Sequence, residues 1–268
     1  MTGPGRTAVV ALCSAARVAH LEAQLAAVGD SATRIVVWLD DTPAPPLDCE
    51  VVLHVPPTSG GLRLARGRNA GADEAVRLGC DLIVFLDADC IPGAECLTRY
   101  RGAAAEFPDA ILCGPVTYLP EGFTATDQPA LRAATAPHPA RPAPPAGDTV
   151  VASNDEYALF WSLSFALTRD RWRAGPRFDE SYVGYGGEDT DFGFSARATS
   201  VALVWVGGAD AYHQYHPTSS PPWAHLDDIL INGARFAEKW GRWPMEGWLE
   251  EFRMAGAVQF SDGAWRRT

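Results

Sequence analysis

Two hydrophobic periods alternate along this chain. Short apolar runs with β-branched members lie at Thr7 to Leu12, Arg34 to Leu39, Val51 to Val55 and Leu82 to Leu86. Runs of this kind predict short strands buried on both faces. Between them, apolar residues fall three or four apart, as in Val18, Leu21, Leu25 and Val28. That spacing predicts helices over Ala15 to Val28 and Leu64 to Leu78, closed by Gly29 and Gly79. The resulting β-α-β-β-α-β order implies an α/β fold, a mostly parallel central sheet flanked by helices.

The pattern then changes. A helix is expected over Ala94 to Phe107 and a strand over Ala110 to Tyr118, but Thr124 to Thr149 is rich in Pro, Ala and Thr. Pro137, Pro139, Pro142, Pro144 and Pro145 exclude a regular helix or a central strand there. A long loop inside a compact domain predicts a mobile flap over a site. Pattern returns with a strand over Phe160 to Leu167, a short helix after Thr168, a helix starting near Glu188 and a strand over Val201 to Val206. Leu226 to Arg253 is helical in pattern, with Ile229, Leu230, Phe236, Trp240, Trp243, Trp248, Leu249 and Phe252 as its apolar positions. Residues 1–217 are therefore expected to form one domain: a first half over 1–118, a mobile loop over 119–155 and a second half over 156–217. Residues 218–268 are expected to be a helical extension, whose apolar face packs on the domain or joins copies into an oligomer.

Composition narrows the function. With 47% hydrophobic and 21% charged residues the 268-residue chain is globular, and no twenty-residue apolar span crosses a bilayer. The apolar run Thr7 to Ala16 has only Arg6 just before it and leads into a helical pattern, so it reads as a first strand and helix, not a secretory signal. A net charge of −11 argues against general nucleic-acid or membrane-surface binding. Lys239 is the one lysine, so arginine supplies nearly all positive charge. Six cysteines without a CxxC pair read as reduced thiols of a cytoplasmic protein.

Candidate chemistry sits at the ends of these elements. Asp87 and Asp89 close the strand Leu82 to Leu86 and alternate along an extended backbone, so they project to one side. In open α/β sheets ligands bind outside the carboxyl ends of strands. Two carboxylates there suit a divalent cation or the hydroxyls of a polar ligand, although Asp, Pro and Gly also favour an ordinary turn. Asp40 and Asp41 close the second strand, and Arg66, Arg68 and Asn69 open the helix before Leu82. An arginine near a helix N-terminus can pair with phosphate, or simply be solvated. Later, Gly184, Gly186 and Gly187 surround Tyr185 and precede Glu188, Asp189 and Asp191. Acids in a first helical turn stabilise the helix, but the glycines and the aromatic residue beside them also suit general-base work on a sugar hydroxyl. His213 and His216, three apart after a strand, add potential metal ligands.

Three motifs in this order, Gly67-Arg68-Asn69-Ala70-Gly71, Phe85-Leu86-Asp87-Ala88-Asp89-Cys90-Ile91-Pro92 and Gly186-Gly187-Glu188-Asp189-Thr190-Asp191-Phe192-Gly193, resemble the GT-A-fold glycosyltransferases of family 2. The second half resembles the catalytic region shared by β-1,4-galactosyltransferases, polypeptide N-acetylgalactosaminyltransferases and chondroitin-polymerase-type enzymes. The resemblance implies a GT-A (nucleotide-diphospho-sugar transferase) fold and a nucleotide-sugar donor, foremost a UDP-sugar. It implies an acceptor hydroxyl on a glycan, lipid or small molecule, and Mn2+ or Mg2+ as cofactor. Asp89 and His213 would bind that metal, His213 matching better than His216. Asp87 would contact the donor ribose or sugar, Asp40 or Asp41 the base, and Arg68 the base or diphosphate. Asp189 would be the base of an inverting reaction and Glu188 would hold the acceptor hydroxyl. Tyr185, standing where many members carry Trp, would form the acceptor or sugar platform with Gly187 and Trp161. The same residues leave three alternatives: a retaining transferase, a sugar-binding protein without turnover, and a glycoside hydrolase using Glu188 or Asp189 in a carboxylate pair.

Overall fold

The computed structural model describes residues 5–268, so residues 1–4 of the expected first domain lie outside the described residues. Strands β1 (Thr7–Cys13), β2 (Thr33–Trp38), β3 (Val51–His54) and β4 (Leu82–Leu86) are parallel neighbours in the order β3-β2-β1-β4. Helices α1 (Val18–Val28) and α2 (Leu64–Arg77) cross between them, as the periodicity predicts. They lie on opposite faces: Leu21 and Leu25 of α1 pack on Val36 and Trp38, and Ala65, Ala72 and Ala75 of α2 on Val10 and Ile35. Side chains buried on both faces explain why these strands read as unbroken apolar runs.

The small strand β5 (Cys90–Pro92) follows β4 and leads into α3 (Cys96–Glu106). The expected strand Ala110 to Tyr118 is two strands, β6 (Ile111–Cys113) and β7 (Val116–Tyr118), in different sheets. Gly114-Pro115 divides them: proline has no N–H for a ladder, and the Gly114 N–H is bound by the Tyr100 hydroxyl at 2.8 Å.

The proline-rich stretch is more ordered in its path than its composition predicts. It carries α4 (Gln128–Ala133), whose N-cap Asp127 accepts the Ala130 N–H at 3.0 Å, and Pro129 stands in the first turn where proline is tolerated. The expectation of no regular helix over 124–149 is thus corrected for its first third, which precedes the proline cluster. Its far end joins the main sheet as the edge strand β8 (Thr149–Val151).

The expected strand Phe160 to Leu167 is shorter and shifted, β9 (Ser164–Thr168), which runs antiparallel between β4 and β6. Trp161 therefore lies in the loop before the strand. Next come α5 (Arg169–Ala174), α6 (Glu188–Ala198) and β10 (Leu203–Val206), which completes the eight-stranded sheet β3-β2-β1-β4-β9-β6-β10-β8. Finally β11 (Ala211–His213) enters a three-stranded sheet between β5 and β7.

Residues beyond 217 form α7 (Leu226–Trp240), α8 (Glu246–Met254) and a hairpin of β12 (Val258–Ser261) and β13 (Ala264–Arg267), so the expected extension is helical only in part. Its apolar positions are largely buried: Ile229, Leu249 and Phe252 join one cluster of the extension, and Phe236 packs on Phe194 of α6. No helix of the described residues is long and apolar enough to cross a membrane. All six cysteines are free thiols.

Candidate active site

The small sheet assembles the first half of the site. In register, His213 of β11 lies opposite Cys90 of β5 and beside Tyr118 of β7. The Gln214 N–H donates to the Asp89 carbonyl at 2.7 Å and closes that pairing. Asp89 and His213 thereby meet: His213 Nε2 is 3.4 Å from Asp89 Oδ1. His216 joins them, its Nε2 3.3 Å from Asp89 Oδ2, and one ligand atom of each of the three lies within 4.8 Å of the others. Arg17, in the turn after β1, donates from Nε to the same Oδ2 at 3.2 Å. Burial alone would raise the Asp89 pKa, but the His216 hydrogen bond and the charges of His213, His216 and Arg17 outweigh it and hold the carboxyl below its ordinary value. Burial lowers the His213 pKa, and the pull of Asp89 offsets this only partly, so the imidazole is neutral near pH 7 with a lone pair to offer. A carboxylate and two imidazoles converging in this way fit a divalent cation.

The second half is built on α2 and α6. Arg68, 4% exposed, donates from Nη1 to Glu188 Oε1 at 2.9 Å, and its Nη2 lies 3.6 Å from Asp87 Oδ1. One buried guanidinium thus joins the Asp-X-Asp strand end to the first turn of α6. Burial disfavours the Arg68 charge, but Glu188, Asp87 and Asp189 more than restore it and its pKa is raised. The acids outnumber the cation. Burial, with Asp89, Glu188 and Asp189 nearby, pushes the Asp87 carboxyl up to about 7 against the pull of Arg68. Burial and then Glu188 push Asp189 up to about 6. Asp189 Oδ1 accepts the Thr190 N–H at 2.7 Å and the Thr190 hydroxyl at 3.3 Å. Its Oδ2 has no hydrogen-bond partner among the described residues.

The glycine-rich turn before α6 is held from behind by α7. Asp228 Oδ2 accepts the Tyr185 N–H at 3.0 Å, and Asn232 donates to the carbonyls of Val183 and Tyr185 at 3.0 and 3.2 Å. Gly184 and Gly187 have φ of +79° and +89°, and a Cβ on Gly184 would stand 2.6 Å from the Asp228 carboxyl carbon. Gly187 contributes this left-handed entry into α6, a backbone role. The Tyr185 ring stacks on His225 with centroids 4.3 Å apart, and burial then Asp189 push its hydroxyl up to about 12. Asp191, fully buried, is paired with the single lysine: Lys239 Nζ lies 2.8 Å from its Oδ1, and Trp240 Nε1 donates at 2.8 Å. That cluster ties α6 to α7.

Several expected residues fall elsewhere. Asp40 accepts the Ala15 N–H, which fixes the turn after β1, and Asp41 is exposed in the following loop. The Cys13 thiol is pushed up to about 12 by burial and then by Asp40 and Asp89. Arg66 forms an exposed pair with Glu180 at 2.8 Å, and Asn69 binds both the N–H and the carbonyl of Phe178. Trp161 and Tyr185 make no ring contact with each other among the described residues. The neighbours of Trp161 are His138 and Arg141, whereas those of Tyr185 are His225 and Trp248. Sequence reasoning missed Arg17, whose only local signal is a cation just after an apolar strand. It also missed His225, just before α7, and Asp228, which lies in a stretch patterned as an ordinary amphipathic helix.

A cavity of about 500 Å³ opens at the other ends of the strands, lined by Arg6, Asp30, Glu50 and Arg101 among others. Its arginines are already bonded to Leu78, Thr7 and Ser31, so the chemistry concentrates at the carboxyl ends.

No family model and no characterised protein matches the sequence. Solved structures do match. GalNAc-T7, crystallised with UDP, GalNAc and Mn2+, superposes with a TM-score of 0.54 at 12% identity, over 95% of this chain and 57% of that one. S. aureus TarS 1-349, in complex with UDP-GlcNAc, gives a TM-score of 0.56 at 14% identity, over 87% of this chain and 66% of that one. The chain thus spans between about half and two-thirds of the length of these two structures. At such identities the likeness is one of architecture, and the architecture is the GT-A glycosyltransferase fold.

Proposed function

We propose that this chain is a metal-dependent glycosyltransferase that moves a sugar from a nucleotide-diphosphate donor, foremost a UDP-sugar, to an acceptor hydroxyl with inversion. The observation that carries the reading is the convergence of Asp89, His213 and His216 facing an acidic wall built on Arg68. Four carboxylates, Asp87, Asp89, Glu188 and Asp189, stand against the guanidiniums of Arg17 and Arg68, and a divalent cation offsets the excess. The imidazoles favour Mn2+ over Mg2+, which prefers oxygen ligands. When bound, the cation stabilises negative charge on the departing diphosphate.

The chain's own residues do the rest. Asp87, half-buried and near neutrality in its titration, hydrogen-bonds donor hydroxyls. Glu188 is fixed by Arg68 at 2.9 Å and orients the acceptor hydroxyl. Asp189 keeps Oδ2 free and its pKa near 6, so at neutral pH it is ionised yet basic enough to take the hydroxyl proton as the hydroxyl attacks the anomeric carbon. Tyr185 packs on the acceptor or donor sugar, backed by His225. Residues of the 119–155 segment that border the site exclude water that would hydrolyse the donor.

Two measurements test this reading. UDP with Mn2+ is expected to raise the melting temperature, and EDTA to abolish the rise, because ligands of the folded state stabilise it. A screen of UDP- and GDP-sugars with a product assay then identifies the donor and the anomeric configuration of the product. Absence of any nucleotide-dependent stabilisation sinks the reading, and activity that survives EDTA returns the hydrolase. A retained configuration removes Asp189 as the base.

A further inference from the structure

Arg141 lies in the proline-rich segment, 7% exposed, with Nε, Nη1 and Nη2 all buried and without an oxygen or nitrogen hydrogen-bond partner among the described residues; only the weakly accepting Cys113 thiol lies within the guanidinium's reach. It forms no ion pair among them either. Its guanidinium sits over two indole rings instead, 5.5 Å from the Trp161 centroid and 5.2 Å from the Trp205 centroid. The Trp205 Nε1 is likewise buried and unpartnered. The guanidinium, a permanent cation with five N–H groups, therefore stacks on the face of a ring whose own N–H is also unpartnered. Cation–π contact with two rings holds a guanidinium in place but satisfies none of those N–H groups, and a buried charged donor left unmade is costly.

The position of this group defines its reach. A ladder of rings runs from the Asp89 centre towards it: His213 stacks on Tyr118 at 4.5 Å, Tyr118 meets His138 at 5.4 Å, and His138 meets Trp161 at 5.2 Å. The Arg141 N–H donates to the His138 carbonyl at 3.1 Å, and the His138 N–H to Val116 at 2.9 Å, which pins the segment to β7. Arg141 thus stands at the far end of that ladder from the metal-ligand set, beside the turn that leads into β9.

We propose that Arg141 recognises a carboxylate or phosphate oxyanion of a substrate, distinct from the donor diphosphate. A planar fork that is already positioned by two indoles matches a carboxylate or phosphate in bidentate fashion. The source is either a charged donor sugar or an acidic acceptor. The assignment rests on the transferase reading for its substrate, but not for the existence of the anion site.

Calorimetric titration tests it in wild type, Arg141→Met and Arg141→Lys, with inorganic phosphate and glucuronate as probes and glucose as neutral control. Each is titrated into free protein and into protein loaded with UDP and Mn2+. Wild type is expected to bind at least one anion about tenfold or more tighter than Arg141→Met, with Arg141→Lys between them. UDP affinity is expected to agree within about twofold across the three, and Arg141→Met to melt at or above the wild-type temperature, because it removes a buried unpaired charge. UDP-glucuronate measured against UDP-glucose separates the sources: a preference lost in Arg141→Met assigns the anion to the donor sugar, and no preference assigns it to the acceptor. Equal anion binding in wild type and Arg141→Met overturns the proposal. So does a tenfold loss of UDP affinity, which would place Arg141 on the diphosphate. A lower melting temperature in both variants with unchanged anion binding makes it structural. If wild type binds no UDP, the transferase reading fails and the free-protein titrations still decide Arg141.

Discussion

Asp87 and Asp89 stand two residues apart at one strand end and occupy opposite electrostatic surroundings. Asp89 meets Arg17, His213 and His216, and these cationic and imidazole partners outweigh its burial and hold its carboxyl below the ordinary value. Asp87 is driven the other way, by burial first, and the one guanidinium beside it is shared with Glu188 and lies near Asp189. A carboxylate among cations and imidazoles is ready for a metal, while one crowded by other acids holds a proton near neutrality and serves hydroxyls. Two similar residues in sequence thus acquire opposite titration behaviour from what the fold sets opposite each. Glu188 and Asp189 divide in the same manner: Arg68 engages the first, and the second keeps an open oxygen.

The strongest way to break this division is at the base. Asp189→Asn is expected to lower transfer by about 10³-fold, with UDP–Mn2+ affinity within about twofold of wild type, checked by steady-state kinetics beside calorimetry. A parallel loss of nucleotide affinity would place Asp189 on the donor side instead. Next comes the shared cation. Arg68→Met leaves Glu188 buried at 5% exposure with its ion pair gone, and is expected to destabilise the fold by about 3 kcal/mol in urea titration. Adding Glu188→Gln is expected to recover a good part of that loss, and a purely additive double variant contradicts the coupling. A smaller effect is expected on the metal side. Asp89→Asn or His216→Ala should weaken Mn2+ binding by at least about tenfold while leaving the urea midpoint without metal closer to wild type than Arg68→Met does.

The subtlest test uses pH. A base whose carboxyl is raised to about 6 is protonated below that value, so kcat/KM should fall about tenfold per pH unit on the acid side of pH 6. Burial is the main cause and Glu188 the next, so Glu188→Gln eases ionisation of Asp189 and should move that limb to lower pH by about one unit or less. A limb that stays in place, or moves upward, assigns the titration to another group. Folding stability carries the opposite sign. A carboxyl raised in the folded state contributes stability below its unfolded pKa that is lost as pH rises through the folded value, so Asp189 weakens the fold between about pH 4 and 6.

Legibility of the fold followed element type. The parallel half, β1 to β4 with α1 and α2, is close to its expected bounds because buried strands and amphipathic helices write their periods into contiguous residues. The later half was harder to read. β9 begins at Ser164, not Phe160, because Phe160 and Trp161 are apolar for packing in the loop before it and not for a strand. The run Ala110 to Tyr118 crosses from one sheet to another at Gly114-Pro115, a change that apolar periodicity does not record. Trp161 and Tyr185, both aromatic near a candidate site, turned out to have separate neighbours.

The sequence by itself determined the candidate positions wherever the signal is local: Asp87 and Asp89 at the end of a strand, glycines before Glu188 and Asp189 at the start of a helix, and two histidines three apart. Tertiary structure alone decided their company. Pairing of β11 with β5 sets His213 against Asp89 across more than a hundred residues, the turn after β1 delivers Arg17 to the same carboxylate, and α2 carries Arg68 between the two acidic groups. Non-local hydrogen bonding and burial create these encounters. They are properties of the folded chain, whereas periodicity reports only what each segment does by itself.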